Sequence, residues 1–390
     1  MATAHPGAVT DQARVLAERL GERALEAEEL RRLPDATIED FNATDLGDVL
    51  VPRRWGGLEA PVIELLEAAR ELAHGCTSSA WVLTFFALHR WMAALFDEET
   101  QGELLGAEER FFAPAPLAPT GRALPCPDGL RLSGRWSWAS GVMHANWVIV
   151  GALAGPDDAP FPALVVCPRE SVDVEDVWRT SGMRATGSND VVASDVRVPE
   201  RHVVAVRDVF GGTAPGAEVN PGAIYRWPLV PLLALSAAMP ALGTAERLLE
   251  TYTARLGERV ALHTGTAHRD RPAAQMRLGQ ASVRLSAARD LTRSTAGEIQ
   301  RTVERGERVS RGDRVAARLA AAHVVRESKL VIDLLVEASG GSAHFVAAPF
   351  QRAQRDVNTL AGHVIFDYDV STELAGAQAV GLELPRAALV

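Results

Sequence analysis

The apolar residues of this chain change their period twice, and that change limits the fold more than any single motif does. From Thr10 to about Glu109 they recur at three- and four-residue spacing, as in DQARVLAERLGERALEAEELRRL and in IELLEAARELAHG, which Gly75 stops. This is the period of helices that bury one face. HGCTSSAWVLTFFALHRWMAALF is apolar on nearly every face, which predicts a buried helix with Thr77 or Ser78 as N-cap. From about Arg110 to Pro215 the texture turns to short apolar or alternating runs (GLRLSGRWSW, NWVIVGALA, FPALVVCP, VDVEDVW, NDVVASDVRVP) cut by Pro, Gly and Asp. These are the strands and turns of an antiparallel sandwich or barrel. From about Pro221 the helical period returns in stretches of roughly 25 residues, the signature of a four-helix bundle. AEVNPG and TGTAHRDRP read as loops.

The order predicts an α+β multidomain chain: an N-terminal helical domain over 1–109, a central antiparallel β-domain over 110–215 and a C-terminal four-helix bundle over 216–390. A single core rarely grows beyond about 250 residues, so 390 residues suit two or three packed units. The net charge of −10 argues against a nucleic-acid or anionic-membrane surface and favours a small-molecule or protein partner. No run of about 18 uncharged apolar residues occurs, so the expected location is cytoplasmic and not in a membrane. Cys76, Cys126 and Cys167 are an odd number without CxxC spacing, which predicts neither a disulfide framework nor a metal site. No glycine fingerprint for a nicotinamide dinucleotide follows a predicted strand.

Three stretches carry more specific information: APTGRALPCPDGLRLSGRWSWASGVMHANW, GMRATGSNDVVASDVRVP and PFQRAQRDVNTLAGHVIFDYDVSTELAG. In this order, on a helix–strand–helix chain, they resemble the acyl-CoA dehydrogenase fold. Within it they resemble the oxygenase components of two-component flavin-dependent monooxygenases: the 4-hydroxyphenylacetate-type and indole hydroxylases and the amino-sugar N-oxygenases. The resemblance implies reduced flavin (FADH2 or FMNH2) and O2 as cofactors, a separate NAD(P)H-flavin reductase as partner and a homotetramer. It also implies oxygen insertion into an aromatic or indole-like substrate by way of a flavin C4a-hydroperoxide. An amino-sugar N-oxygenase and an acyl-CoA dehydrogenase with an unrecognised base are the alternatives.

The choice between oxygenase and dehydrogenase rests on a base. A dehydrogenase needs a carboxylate to remove the α-proton of a thioester. In the segment resembling the family's RDAKIxxIYEG, Arg355-Asp356 is followed by VNTLAGHVIF, so His363 and Val364 stand where the glutamate is expected, and the nearest carboxylate before the bundle, Glu218, lies in a loop. An imidazole can donate or move a proton near neutral pH without a fixed negative charge, which suits oxygen chemistry.

The same resemblance assigns the remaining roles. His363, Ser140 and His89 are the expected catalytic residues. Trp138 is expected to pack on the isoalloxazine and Ser140 to bond near N5 and O4. Gly141, Thr186, Gly187 and Ser188 complete the expected flavin contacts. His89, Phe85 and Ala115 are expected to line the substrate pocket; because Ala113, Pro114, Ala115 and Pro116 offer no hydroxyl there, a larger or less polar aromatic substrate is favoured. His144 reads as structural, and Arg355 as a buried partner of Asp356 or of a neighbouring subunit.

Overall fold

A computed structural model describes residues 7–258, 267–385, 388 and 390. The first helical region contains α1 (Ala8–Glu22), α2 (Ala24–Leu30), α3 (Asp35–Asn42), α4 (Val62–Leu72), α5 (Thr77–Ala93) and α6 (Glu98–Leu105). All seventeen residues of α5 are buried, as an all-round apolar helix requires. Its cap differs from expectation. Cys76, extended at φ −153°, ψ 120°, is the N-cap. The Thr77 hydroxyl instead pairs with that of Thr244 at 2.8 Å, and Ser78 Oγ contacts Met183 Sδ at 3.9 Å. These hydroxyls tie α5 to its neighbours instead of closing its first turn.

The middle region forms one seven-stranded sheet, β1 (Gly121–Cys126), β2 (Gly129–Ala139), β3 (Trp147–Ala154), β4 (Phe161–Pro168), β5 (Asp173–Glu175), β6 (Asn189–Val198) and β7 (Val203–Ala205), in the order β5-β6-β2-β1-β3-β4-β7. The sheet is mixed, which corrects the wholly antiparallel expectation. Strand β3 runs antiparallel to β2 but lies beyond β1, so Gly121–Ala123 pairs in parallel with Ala152–Ala154. The connection from β2 to β3 must therefore cross the end of β1, and WASGVMHAN is that connection.

After α7 (Val206–Gly211) and α8 (Pro215–Val219), which takes Glu218 out of the expected loop and into a short helix on which its side chain is exposed, come α9 (Leu229–Glu258), α10 (Pro272–Glu304) and α11 (Arg311–Ser339). A fourth position is filled by two twelve-residue helices, α12 (Pro349–Leu360) and α13 (Tyr368–Ala379). The break between them falls at residues 361–367 and presents His363. One continuous apolar cluster joins Leu16, Leu65 and Phe86 of the first region to Leu235 of α9 and Val324 of α11, so both helical regions share a core. A second cluster, with Leu132, Trp136 and Val148, lies within the sheet. Contrary to the expectation that no such run occurs, helix α9 is apolar and long enough to cross a membrane by composition, yet 89% of its apolar window is buried in the fold.

Candidate active site

Trp81, Phe85 and His89 follow one another at four-residue intervals and so share one face of α5. Their rings form a row, with centroids 4.7 Å apart from Trp81 to Phe85 and 5.3 Å from Phe85 to His89. His363 joins the other end, its ring 5.9 Å from Trp81. The expected His363, Phe85 and His89 are thus brought together, and the link between them is Trp81, a residue that reads as core in the sequence. Nothing in an apolar helix marks one indole as different from its neighbours.

The two imidazoles are held in opposite senses. His89 Nδ1–H donates to the carbonyl of Ala113 at 2.6 Å, which leaves Nε2 as an acceptor. His363 Nδ1 accepts from the Ile365 amide at 3.2 Å, which puts its hydrogen on Nε2. Burial pushes both down to about 4, so both are neutral at physiological pH. His89 is buried, at 4% exposure. His363 is exposed, on the rim of an open cavity of about 410 Å³ lined also by Phe366, Tyr368, Arg326 and Lys329. Arg326 stacks over Tyr368 at 4.2 Å.

The β2–β3 crossing supplies the other half. Residues i and i+2 of a strand share a face, so Trp136 and Trp138 would both point inward in a regular β2. Instead the pairing with β6 shifts register between Trp136 and Ala139, and Trp138 adopts a left-handed φ of 68°. Trp136 stays buried, its indole N–H on the Gly151 carbonyl at 2.6 Å, while Trp138 is 67% exposed. A bulky residue in this backbone region is strained, the kind of feature found where a side chain is re-aimed. Gly141, at φ 78°, closes the turn against α5; a Cβ there would lie 2.7 Å from Phe86.

That approach lets the Trp81 indole N–H reach Ser140 Oγ at 3.3 Å. Ser140 Oγ lies 2.7 Å from Ser188 Oγ, Ser188 Oγ 2.6 Å from Thr186 Oγ1, and Thr186 Oγ1 donates to the Met183 carbonyl at 2.8 Å. The hydroxyls of Thr186 and Ser188 are therefore buried behind Ser140, and Gly187 closes their turn at φ 52°. Ala115 is half-buried against the main core, in a segment whose carbonyls at Pro114 and Pro116 accept from Ile149 and Gly151 of β3.

Two further residues tie the halves together. Asp356, fully enclosed in α12, accepts the Met183 amide at 2.6 Å, and burial pushes its carboxyl up to about 6. Gly182 makes room for this: a Cβ there would lie 2.0 Å from the Arg355 carbonyl oxygen. Arg355 does not pair with Asp356, as expected, but with Glu28 of α2 at 2.6 Å and with the Ser181 carbonyl. His144 Nε2 bonds the Leu33 carbonyl at 2.8 Å, a structural tie from the crossing to the α2–α3 loop.

The family described as "Acyl-CoA dehydrogenase, C-terminal domain" matches residues 235–368. The chain is 32% identical to a flavin-dependent monooxygenase, oxygenase subunit HsaA, from Rhodococcus jostii (strain RHA1), covering 94% of this chain and 96% of the relative. It is 30% identical to the oxygenase component of an FADH(2)-dependent resorcinol hydroxylase from Rhizobium sp. (strain MTP-10005), covering 92% and 91%. Among solved structures, the 3-HSA hydroxylase from Rhodococcus sp. RHA1 superposes with a TM-score of 0.93 at 30% identity, over 99% of each chain.

Proposed function

The chain belongs to the oxygenase components of flavin-dependent monooxygenases that share the acyl-CoA dehydrogenase fold, and on that premise we propose that it hydroxylates an aromatic or indole-like ring with O2 and reduced flavin delivered by a separate reductase. The observation that carries this reading is the row His363–Trp81–Phe85–His89, with a neutral imidazole at each end and Ser140 attached to its middle.

The residues fit a planar cofactor. Trp138 offers an exposed indole face, and half-buried Ser140 beside it keeps a lone pair that neither Trp81 nor Ser188 uses. Reduced flavin, when bound, supplies the two electrons that activate O2. Trp138 and Ser140 would hold its ring. His363 holds a proton at Nε2 and donates from there without adding charge. His89 Nε2 accepts from a phenolic O–H or indole N–H, which orients the ring and draws electron density toward the carbon to be oxygenated. Trp81, Phe85 and Phe86 exclude water, and Phe85 with Ala115 bounds the substrate.

Among the described residues, the dehydrogenase alternative lacks a free base at this place. Asp356 is committed to the Met183 amide, and Asp367 caps α13 at the Val370 amide, 3.0 Å away. Met276, Val283 and Leu291 form an exposed apolar stripe along α10, which supports self-association as a homotetramer. A cytoplasmic location, and domain divisions near residues 109 and 215, belong to the same reading. Part of the arginine-bearing segment that would discriminate FAD from FMN, residues 259–266 of YTARLGERVALHTGTAHRDRP, lies outside the described residues.

Incubation with reduced FAD or FMN, ¹⁸O2 and a panel of phenols and indoles should yield a product carrying one heavy oxygen. Reduction of the oxidised flavin by an acyl-CoA thioester, with no oxygenated product from any ring, would overturn the proposal.

A further inference from the structure

Met183 lies between two peptide planes that are each held by side chains, at a mutual angle that an L residue rarely adopts. The near plane joins Gly182 to Met183: its carbonyl accepts from Thr180 Oγ1 at 2.8 Å, and its N–H donates to Asp356 at 2.6 Å. The far plane begins at the Met183 carbonyl, which accepts from Trp178 Nε1 at 2.9 Å and from Thr186 Oγ1 at 2.8 Å. Between them Met183 is left-handed, at φ 54°, ψ 28°. Glycine visits this region freely, whereas for a residue such as methionine the relaxed backbone is favoured by about tenfold. Met183 cannot relax while both planes are held.

Thr180, Trp178 and Thr186 belong to the same loop and turn as Met183 and move with it, but Asp356 comes from α12. Arg355 of that helix takes the Ser181 carbonyl, two residues earlier, and does not reach the strained residue. The Met183 side chain is buried, with Sδ 3.9 Å from the Ser78 hydroxyl, a weak contact. One 3-10 turn after Met183, the Thr186 carbonyl accepts the Gly141 amide at 2.8 Å. The turn therefore fixes the β2–β3 crossing that displays Trp138.

We propose that Asp356 is a positioning residue for the face that Trp138 presents: by holding the Met183 amide it keeps Met183 left-handed, and the turn passes that constraint through Thr186 to Gly141. Asp356 touches neither substrate nor cofactor. Because α12 leads into His363, one buried carboxylate registers His363 against the crossing on the other side of the site. Only the ligand that this face meets rests on the flavin reading above.

A double-mutant cycle separates this role from a merely structural one, because glycine adopts the left-handed conformation without strain. The first readout is hydrogen exchange, measured by mass spectrometry on the protein without flavin, over residues 183–189 and 139–146. Asp356→Ala should speed exchange there by about tenfold, the bias toward relaxed backbone that the clamp opposes. In a Met183→Gly background the same substitution should speed it by less than about twofold. Asp356→Asn, which still accepts the amide, should match the parent. Trp178→Phe releases the far plane and should act in the same direction, again only while Met183 is present; it supplies the cycle if Asp356→Ala does not fold. The second readout is the dissociation constant of reduced FMN and of reduced FAD under anaerobic conditions. It should rise by about tenfold in Asp356→Ala, and in the double variant it should stay within about twofold of the Met183→Gly value. Parent-like exchange in Asp356→Ala overturns the proposal, and so do equal effects of Asp356→Ala in the two backgrounds. If the parent protein binds neither reduced flavin, the flavin reading falls, while the exchange cycle still decides whether Asp356 holds the crossing.

Discussion

The imidazole of His363 lies against the indole of Trp81, centroids 5.9 Å apart, and the same indole donates its N–H to Ser140. One residue of a buried helix therefore registers a group from the break in the last helical layer against a group from the sheet. The Asp356–Met183 bond repeats the linkage on the far side, since α12 leads into His363 and the Met183 turn leads into Thr186 and Ser188. The site is a junction of three regions, and its geometry depends on their packing as much as on its own residues.

His363→Gln should separate oxygen insertion from flavin oxidation. The side chain keeps an N–H donor but loses the ring that packs on Trp81 and Phe366. Product formed per reduced flavin consumed should fall by about tenfold or more, less than the roughly hundredfold or greater contribution of one positioned proton donor because glutamine keeps an N–H, with H2O2 rising to match. Parallel assays of product and peroxide check this; unchanged coupling removes His363 from the chemistry.

Trp138→Ala should leave the fold nearly as stable as the parent, within about 0.5 kcal/mol, because the side chain is 67% exposed. Affinity for reduced flavin should nevertheless drop roughly tenfold, the equivalent of about 1.5 kcal/mol of lost aromatic stacking. Urea unfolding and anaerobic titration provide the two numbers, and a stability loss without an affinity loss would make Trp138 a structural residue.

Asp356→Asn and Asp356→Ala should diverge. The carboxylate sits buried and holds one amide, so a neutral isostere that still accepts from Met183 removes a costly charge while keeping the bond. Asp356→Asn should match or exceed parent stability at pH 8, and Asp356→Ala should lose roughly 1–3 kcal/mol through the unpaired amide. Urea midpoints of both variants at pH 8 decide it.

How much of the fold and site is legible in the sequence follows from what each residue must do. Trp138, Ser140 and His363 stand in motifs whose spacing resembles other chains, so the motifs alone indicate their places. The shift of period locates the sheet, but not the parallel β1–β3 pairing, because GRALPC is short, contains Pro125 and does not alternate cleanly. The split of the last bundle element at residues 361–367 has no strong breaker except Gly362, and its position is set by packing of Ile365 and Phe366 into the core. Trp81 and Asp356 are invisible as site residues for opposite reasons. One looks like any apolar residue of a buried helix, and the other looks like half of a local ion pair that the fold does not form.

The last prediction concerns pH and stability. His89 and His363 titrate near 4 in the folded protein, against about 6.5 in an unfolded chain. Between those values the unfolded state binds more protons, so the stability these neutral rings contribute is complete above about 6.5 and is lost as pH falls toward 4. Asp356 works in the other direction: its folded value of about 6 lies above the ordinary 3.8, so its burial costs least in acid and most above pH 6. Two groups outweigh one, and the urea midpoint should fall between pH 7 and pH 5. His89→Gln retains an N–H for the Ala113 carbonyl but has nothing to titrate, so its midpoint should fall by less over the same interval. Equal slopes in the parent and in His89→Gln would mean that His89 titrates in the native state as it does in the unfolded chain, so that the environment that keeps its ring neutral, with Nε2 as acceptor for the substrate, is absent.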